Sequence, residues 1–284
     1  MNRWVLYAAY LVVVTVVWLY VQFPAGTIRA YAIQKTASLV PGLAMTVDSV
    51  DLGLPLAVRF EGVSLSYRGD PALGLPWVEW RPGWKTLIPG RIDVDFETKI
   101  DKGRIQGWLE LTRAPEWAAK RFQLELKAVQ LTDLPILARQ IGRKISGRCD
   151  GEMVYEATNA APRLQAQLSL QDGQVEIRQP MIKRSALSFS RIDSEIEARG
   201  RSVNLGRIAW QGAEIDGEAS GTIALKSTLA TSELEIRGEV KPHARFLAEL
   251  RQTLPERLMP KPGPGGRYKV QLTGTVTKPH YRLL

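Results

Sequence analysis

The 284-residue sequence holds one cysteine, Cys149, and two histidines, His243 and His280. A lone cysteine excludes an intrachain disulfide and any multi-cysteine metal site. A catalytic thiol needs a basic partner, yet His243 stands in a Pro-flanked segment and His280 close to the C-terminus, so Cys149 reads as an inert strand or turn residue. No P-loop, Gly-x-Gly-x-x-Gly, Gly-x-Ser-x-Gly or His-Glu-x-x-His occurs. The close acidic pairs, Asp93 with Asp95 and Glu195 with Glu197, have the i, i+2 spacing that puts both carboxylates on the solvent face of a strand. No catalytic residue, cofactor or metal site is expected, and the chain does not read as an enzyme. Its net charge of +9 comes largely from arginines set singly between strand residues rather than clustered with aromatics. That pattern argues against nucleic acid and leaves a weak attraction to anionic lipid headgroups.

Charge is also missing from one long stretch. From Trp4 to Phe23, "WVLYAAYLVVVTVVWLYVQF", no charged residue occurs, and a helix of that length, at ~1.5 Å per residue, crosses the ~30 Å hydrocarbon core of a bilayer. Trp4 and Tyr7 at one end and Trp18 and Tyr20 at the other suit the two headgroup levels. A cleaved signal peptide has a shorter apolar run followed by a small-x-small site. Here the one such match, Ala30-Tyr31-Ala32, lies beyond Pro24 and Arg29, so an uncleaved anchor is expected. With a lead-in of three residues that ends in Arg3, the simpler topology keeps the N-terminus inside and exports the rest, which in a bacterium means a single-pass inner-membrane protein with its bulk in the periplasm.

The exported part has a different rhythm. "TIRAYAIQKTASLV" places Ile28, Tyr31 and Ala32 at helical spacing before Pro41-Gly42 stops it. Beyond Met45 the period becomes two. "AVRFEGVSLSYR" alternates Val58 and Phe60, then slips across Gly62 to Val63, Leu65 and Tyr67, as at a bulge or a tight hairpin. "RIDVDFETKI", "GRIQGWLEL", "RFQLELK", "RLQAQLSL", "SVNL", "SELEIRGEV" and "YKVQLTGTV" continue the alternation, about a dozen short strands with turns between them, which predicts a mainly β protein built on an antiparallel sheet. In the last of these, Tyr268, Val270, Leu272, Gly274 and Val276 share one parity. Two segments read as short helices, 133–145 with Leu134, Leu137, Ile141 and Ile145 on one side, and 242–258 with Phe246, Leu247, Leu250 and Leu254. The resulting division is 1–23 transmembrane anchor, 24–44 short helical connector and 45–284 β-rich domain. Glycines recur inside the strands, marking bends, bulges or close approach of another backbone, and repeated bends let a long sheet curl.

Three stretches then point to a family. "EWRPGWKTLIPGRIDVDFETKIDKGRIQGWLEL" resembles the strand, turn and paired strands of AsmA-like proteins. "LTDLPILARQIGRKISGRCDGEMVYE" looks like their short helix followed by Ile-Ser-Gly and a glycine-punctuated strand, and "LTGTVTKPHYRLL" is similar to the strand that closes many of those domains. Length, anchor and the "QFPAGT" that follows it most resemble the protein N family of type II secretion systems, related to AsmA-like and bridge-like lipid-transfer proteins. The resemblance implies a membrane-anchored periplasmic β-groove, contact with the inner membrane, phospholipid or another acyl-chain ligand, and association with type II secretion components. It brings no catalytic residues.

The lipid-facing candidates are the apolar-parity residues Phe96, Leu124, Leu168, Leu170, Ile215, Ile223, Val270 and Leu272. Alternation alone leaves two readings open. The face is an accessible lining that shelters acyl chains, or it is closed by protein in a scaffold subunit whose edge strand adds to a partner. Two short helices supply too few large apolar side chains to cover a dozen strands, which favours a partly accessible lining.

Overall fold

Strand after strand, the chain from Ser49 onward pairs with its own neighbour in sequence. In the computed structural model the described residues are Trp4, Tyr7, Tyr10, Leu11, Val14, Trp18, Tyr20 and 22–39, 42–53, 57–113, 117–135, 138, 142–158, 161–177, 185–228, 231–253 and 263–283. Helix α1 (Ala25–Leu39) precedes strands β1 (Leu43–Thr46), β2 (Ser49–Gly53), β3 (Ala57–Tyr67), β4 (Asp70–Pro82), β5 (Arg91–Ile100), β6 (Gly103–Arg113), β7 (Trp117–Gln130), β8 (Ile145–Glu156), β9 (Arg163–Glu176), β10 (Ala186–Arg199), β11 (Ser202–Gly212), β12 (Ile215–Ala224) and β13 (Glu233–Pro242); helix α2 (Ala244–Thr253) separates these from β14 (Tyr268–Thr275) and β15 (Pro279–Leu283). From β3 onward every strand is antiparallel to the next, and both β1 and β2 pair with the near side of β3. The sheet does not close on itself. At ~4.8 Å between strands its path is about 60 Å across.

The mainly β, antiparallel reading therefore holds, and the helices with described bounds are α1 and α2. Among the described residues no helix is long and apolar enough to cross a membrane. The expected span, 4–23, lies for the most part outside the described residues; Trp4, Tyr7, Tyr10, Leu11, Val14, Trp18 and Tyr20 within it are helical and exposed.

Burial is concentrated where α1 meets the first strands. Val47, Val50, Phe60 and Val63 form a buried cluster with Phe23, Ala25, Ile28 and Ala32 packed against it, so the helix after Pro24 is part of the core. Ile28 and Ala32 face inward as their spacing predicts. Tyr31 does not: it is 58% exposed, because at 100° per residue it turns away from the stripe that Ile28 and Ala32 share. A second cluster, Ile100, Ile105 and Val129 with Phe96, Leu124 and Leu134, lies across β5 to β7.

The slip at Gly62 is a bend within one continuous strand, not a hairpin. Gly62 has φ +59°, and a β-carbon there would overlap the Asp48 carboxylate, which places both Phe60 and Val63 in the same cluster. Other expectations shift at their edges. Residues 131–133 form a 3₁₀ turn and Ile145 opens β8, with Pro135 and Ala138 helical between them; 136, 137 and 139–141 lie outside the described residues. Pro242 ends β13 opposite Ile215 rather than entering a helix, α2 begins at Ala244, and Leu254 lies outside the described residues. Val276 falls past the end of β14, where Gly274 at φ +94° turns the chain.

Candidate functional site

One row of cross-strand partners can be followed through the whole sheet. Leu52 faces Val58, Val58 faces Trp80, and Trp80 faces Phe96. The row continues from Phe96 through Gly107, Leu124, Met153, Ala166 and Ile196 to Leu205. It then runs through Gly221, Ile236 and Leu272 to Tyr281. Directly paired residues of adjacent strands point to the same face, so this row is apolar or glycine from β2 to β15.

All eight lining candidates lie on that face. Phe96, Leu124 and Leu272 are members of the row. Leu168 and Leu170 flank it on β9, opposite Gly151 and Cys149. Ile215 pairs with Pro242, Ile223 with Val203 and Leu234, and Val270 with Gly238. Each of the eight is half-buried. Toward the C-terminal half, Ala166, Leu205 and Tyr268 are buried, whereas Ile192, Ile196, Ile208, Ile236 and Leu272 keep part of their surface open.

The opposite face is mainly polar, with Trp77, Trp108 and Val154 set among charged and amide side chains. Glu97, Gln106, Glu125, Glu152, Gln167 and Glu195 form its matching row. Ion pairs run along and across the strands, among them Glu97–Arg104 at 3.3 Å, Arg163–Glu197 at 2.7 Å and Arg207–Glu218 at 3.3 Å. Asp93 and Asp95 stand on this face beside such pairs, as their spacing predicts. Glu110 is the exception in depth. It is 3% exposed, accepts from Arg91 Nε at 3.0 Å and lies 3.6 Å from Lys120 Nζ, and the Arg91 hydrogen bonds hold its carboxyl below the usual carboxylate range against the opposing effect of burial.

The glycines of the apolar face carry information that alternation does not. A β-carbon on Gly238 would stand 2.5 Å from the Glu218 carbonyl oxygen and 2.8 Å from Ala219 Cβ; one on Gly221 would stand 2.6 Å from Ile236 Cα and closer still to the Glu235 carbonyl oxygen. At Gly107, Gly151 and Gly217 the neighbouring strand's carbonyl oxygen, of Gln123, Gln167 and Glu239, crowds the same position. No side chain fits there because the adjacent backbone leans over the apolar side. Strand-internal glycines mark close approach, and these share the parity of the apolar row, a pattern present in the sequence itself.

The thiol and the imidazoles are accounted for separately. Cys149 is buried on the apolar face, and burial together with the Asp150 carboxylate pushes its thiol up. His243 bonds through one ring nitrogen to the Ala213 carbonyl and through the other to Asp216, each at 3.0 Å, tying the start of α2 to β12. No group of metal-ligating side chains occurs among the described residues. A scan against family models matches none, and neither curated proteins nor solved structures yield a match.

Proposed function

We propose that this chain is a membrane-anchored protein of the bacterial cell envelope that shelters acyl chains on the apolar face of a curled, unclosed sheet, with the bulk of the chain in the periplasm. It carries no catalysis of its own. The observation that supports this reading most is the unbroken apolar row from Leu52 to Tyr281, half-buried over most of its length. The glycines add to it, since strands leaning over the apolar side make that side the inside of the bend. Energetically the face is sufficient: at ~0.8 kcal/mol per buried methylene, half of a sixteen-carbon chain laid on it contributes about 6 kcal/mol.

On the resemblance of the quoted segments, we assign the chain to the protein N family of type II secretion systems, with phospholipid as ligand class and secretion components as partners. A non-lipid scaffold is the second reading, and the position of β15 at the end of the strand order favours it, since an edge strand accepts a partner's strand.

A photoreactive side chain placed in turn at Leu168, Leu170, Val270 and Leu272, and at their neighbours Gln167, Ser169, Lys269 and Gln271, separates the two in cells. Lipid adducts at the apolar parity and few at the polar parity are expected. Adducts to protein at the β14 sites alone, beside the edge strand β15, point to the scaffold. Equal lipid labelling of both parities refutes the sheltered face.

A further inference from the structure

The segment between β4 and β5 is built in an unusual way for a surface loop. Residues 83–90, "GWKTLIPG", contain no carboxylate and one cation, Lys85. Trp84 is 73% exposed and Ile88 43% exposed. The loop is nevertheless fixed. Gly83 N–H donates to the Asp93 carbonyl at 2.7 Å, the Thr86 hydroxyl donates to the same oxygen at 2.8 Å and accepts from Asp93 N–H at 3.1 Å, and Ile88 N–H donates to the Lys85 carbonyl at 3.0 Å. Arg113 N–H closes it from the next strand onto the Gly90 carbonyl at 3.0 Å. A backbone held this firmly keeps an indole and a branched aliphatic side chain in water, which is unfavourable unless something apolar meets them.

Its position in the fold indicates what that is. Thr36, near the end of α1, bonds to Met45 of β1, while α1 also contacts β2. The first half of the helix, with Phe23 ahead of it, therefore lies toward Gly53 and Ala57, the end of the sheet where β3 starts. Val58 faces Trp80 there, and β4 runs out at Pro82 into the loop. The uncharged stretch 4–23 thus joins the protein at the same end of the sheet that carries Trp84 and Ile88. Trp80, 41% exposed on the apolar face, links the loop to that face.

We propose that residues 83–90 form a membrane-contacting tip that seats this end of the sheet on an anionic bilayer, with Trp84 and Ile88 entering the interface and Lys85 meeting acidic headgroups. An indole is suited to that depth because its ring is apolar and its N–H stays hydrated. Lysine beside it gains from the negative surface potential, while its stem lies along apolar groups. The placement rests on the anchor reading for orientation only.

The full chain, in a Cys149→Ala background and reconstituted into phosphatidylcholine vesicles with or without phosphatidylglycerol, tests this with an environment-sensitive fluorophore at one introduced cysteine. Ile88→Cys reports the tip, Lys102→Cys the turn between β5 and β6 at the other end, and Val14→Cys the anchor. Expected is a blue-shifted label at 88, quenched by lipid-borne nitroxides, beside a water-exposed label at 102. Adding Lys85→Gln lowers the inserted-to-exposed ratio at 88 about five-fold in anionic vesicles and little in neutral ones. A label at 88 as water-exposed as that at 102 overturns the proposal, whatever the label at 14 reports. An inserted label at 88 beside an exposed one at 14 upholds the tip and removes the anchor.

Discussion

Substituting Gly221 by alanine asks whether the sheet leans over its apolar side or merely tolerates glycine there. In the structure the added methyl group would sit 2.6 Å from Ile236 Cα and closer still to the Glu235 carbonyl oxygen, against 3.4 Å or more for ordinary contact, so β13 must retreat from β12 by at least 0.8 Å. Forcing one methyl group into a site that tight costs roughly 1–3 kcal/mol. Lower freedom of the unfolded chain returns about 0.4–1 kcal/mol, leaving a net loss of ~1–2 kcal/mol. For a chain of this size that lowers Tm by roughly 2–8 °C. Gly74 of β4 supplies the matched control, since a β-carbon there meets no atom within 4 Å and its φ is ordinary; alanine at 74 gains the unfolded-state term alone, ~0.4–1 kcal/mol. Thermal unfolding of the full chain in one detergent, followed by circular dichroism of the sheet, compares the two. Gly221→Ala melting at or above Gly74→Ala would refute the argument that the backbones crowd on that side. If the crowding also shapes the lining, Gly221→Ala lowers lipid labelling at Ile223 while Gly74→Ala leaves it unchanged.

Two further outcomes follow from buried groups. Glu110 has its folded pKa depressed, chiefly by the Arg91 hydrogen bonds, so its stabilising contribution is complete above the unfolded value of about 4.3 and is lost as pH falls through the lower folded value. Glu110→Gln should therefore destabilise the chain by about 1–3 kcal/mol at neutral pH, and the gap in denaturant midpoint should close below roughly pH 4; a gap independent of pH refutes the ionic account. Cys149, buried and with its thiol raised, should resist a maleimide in the native chain and react fully in denaturant, and fast native labelling would count against its placement in the lining.

Much of the sheet was legible because alternation is a strong local signal. Residues such as Leu168 and Leu170, or Val270 and Leu272, must share a face if their segments are strands at all, and short turns leave consecutive strands little choice but to pair. The register could not be read in the same way, since it depends on bulges. Ala128 and Asp172 adopt positive φ, at 53° and 51°, near register shifts on β7 and β9, and neither residue type announces that. The partner network of Glu110 was hidden for a similar reason: Arg91 and Glu110 are brought together only when β5 folds onto β6. Tyr31 misled because a short helix offers several apolar stripes, and only contact with β1 and β2 selects one.

The topology has a consequence for how such a chain is made and remade. From β3 onward no strand waits for a partner distant in sequence, so the sheet is in effect a linear polymer of hairpins, able to grow from any nucleus by adding the next strand. Inserting or deleting one hairpin lengthens or shortens the sheet by ~10 Å while leaving every other pairing in register. Reach is then a quantity set by hairpin number alone, and it can drift in evolution without the fold being invented again.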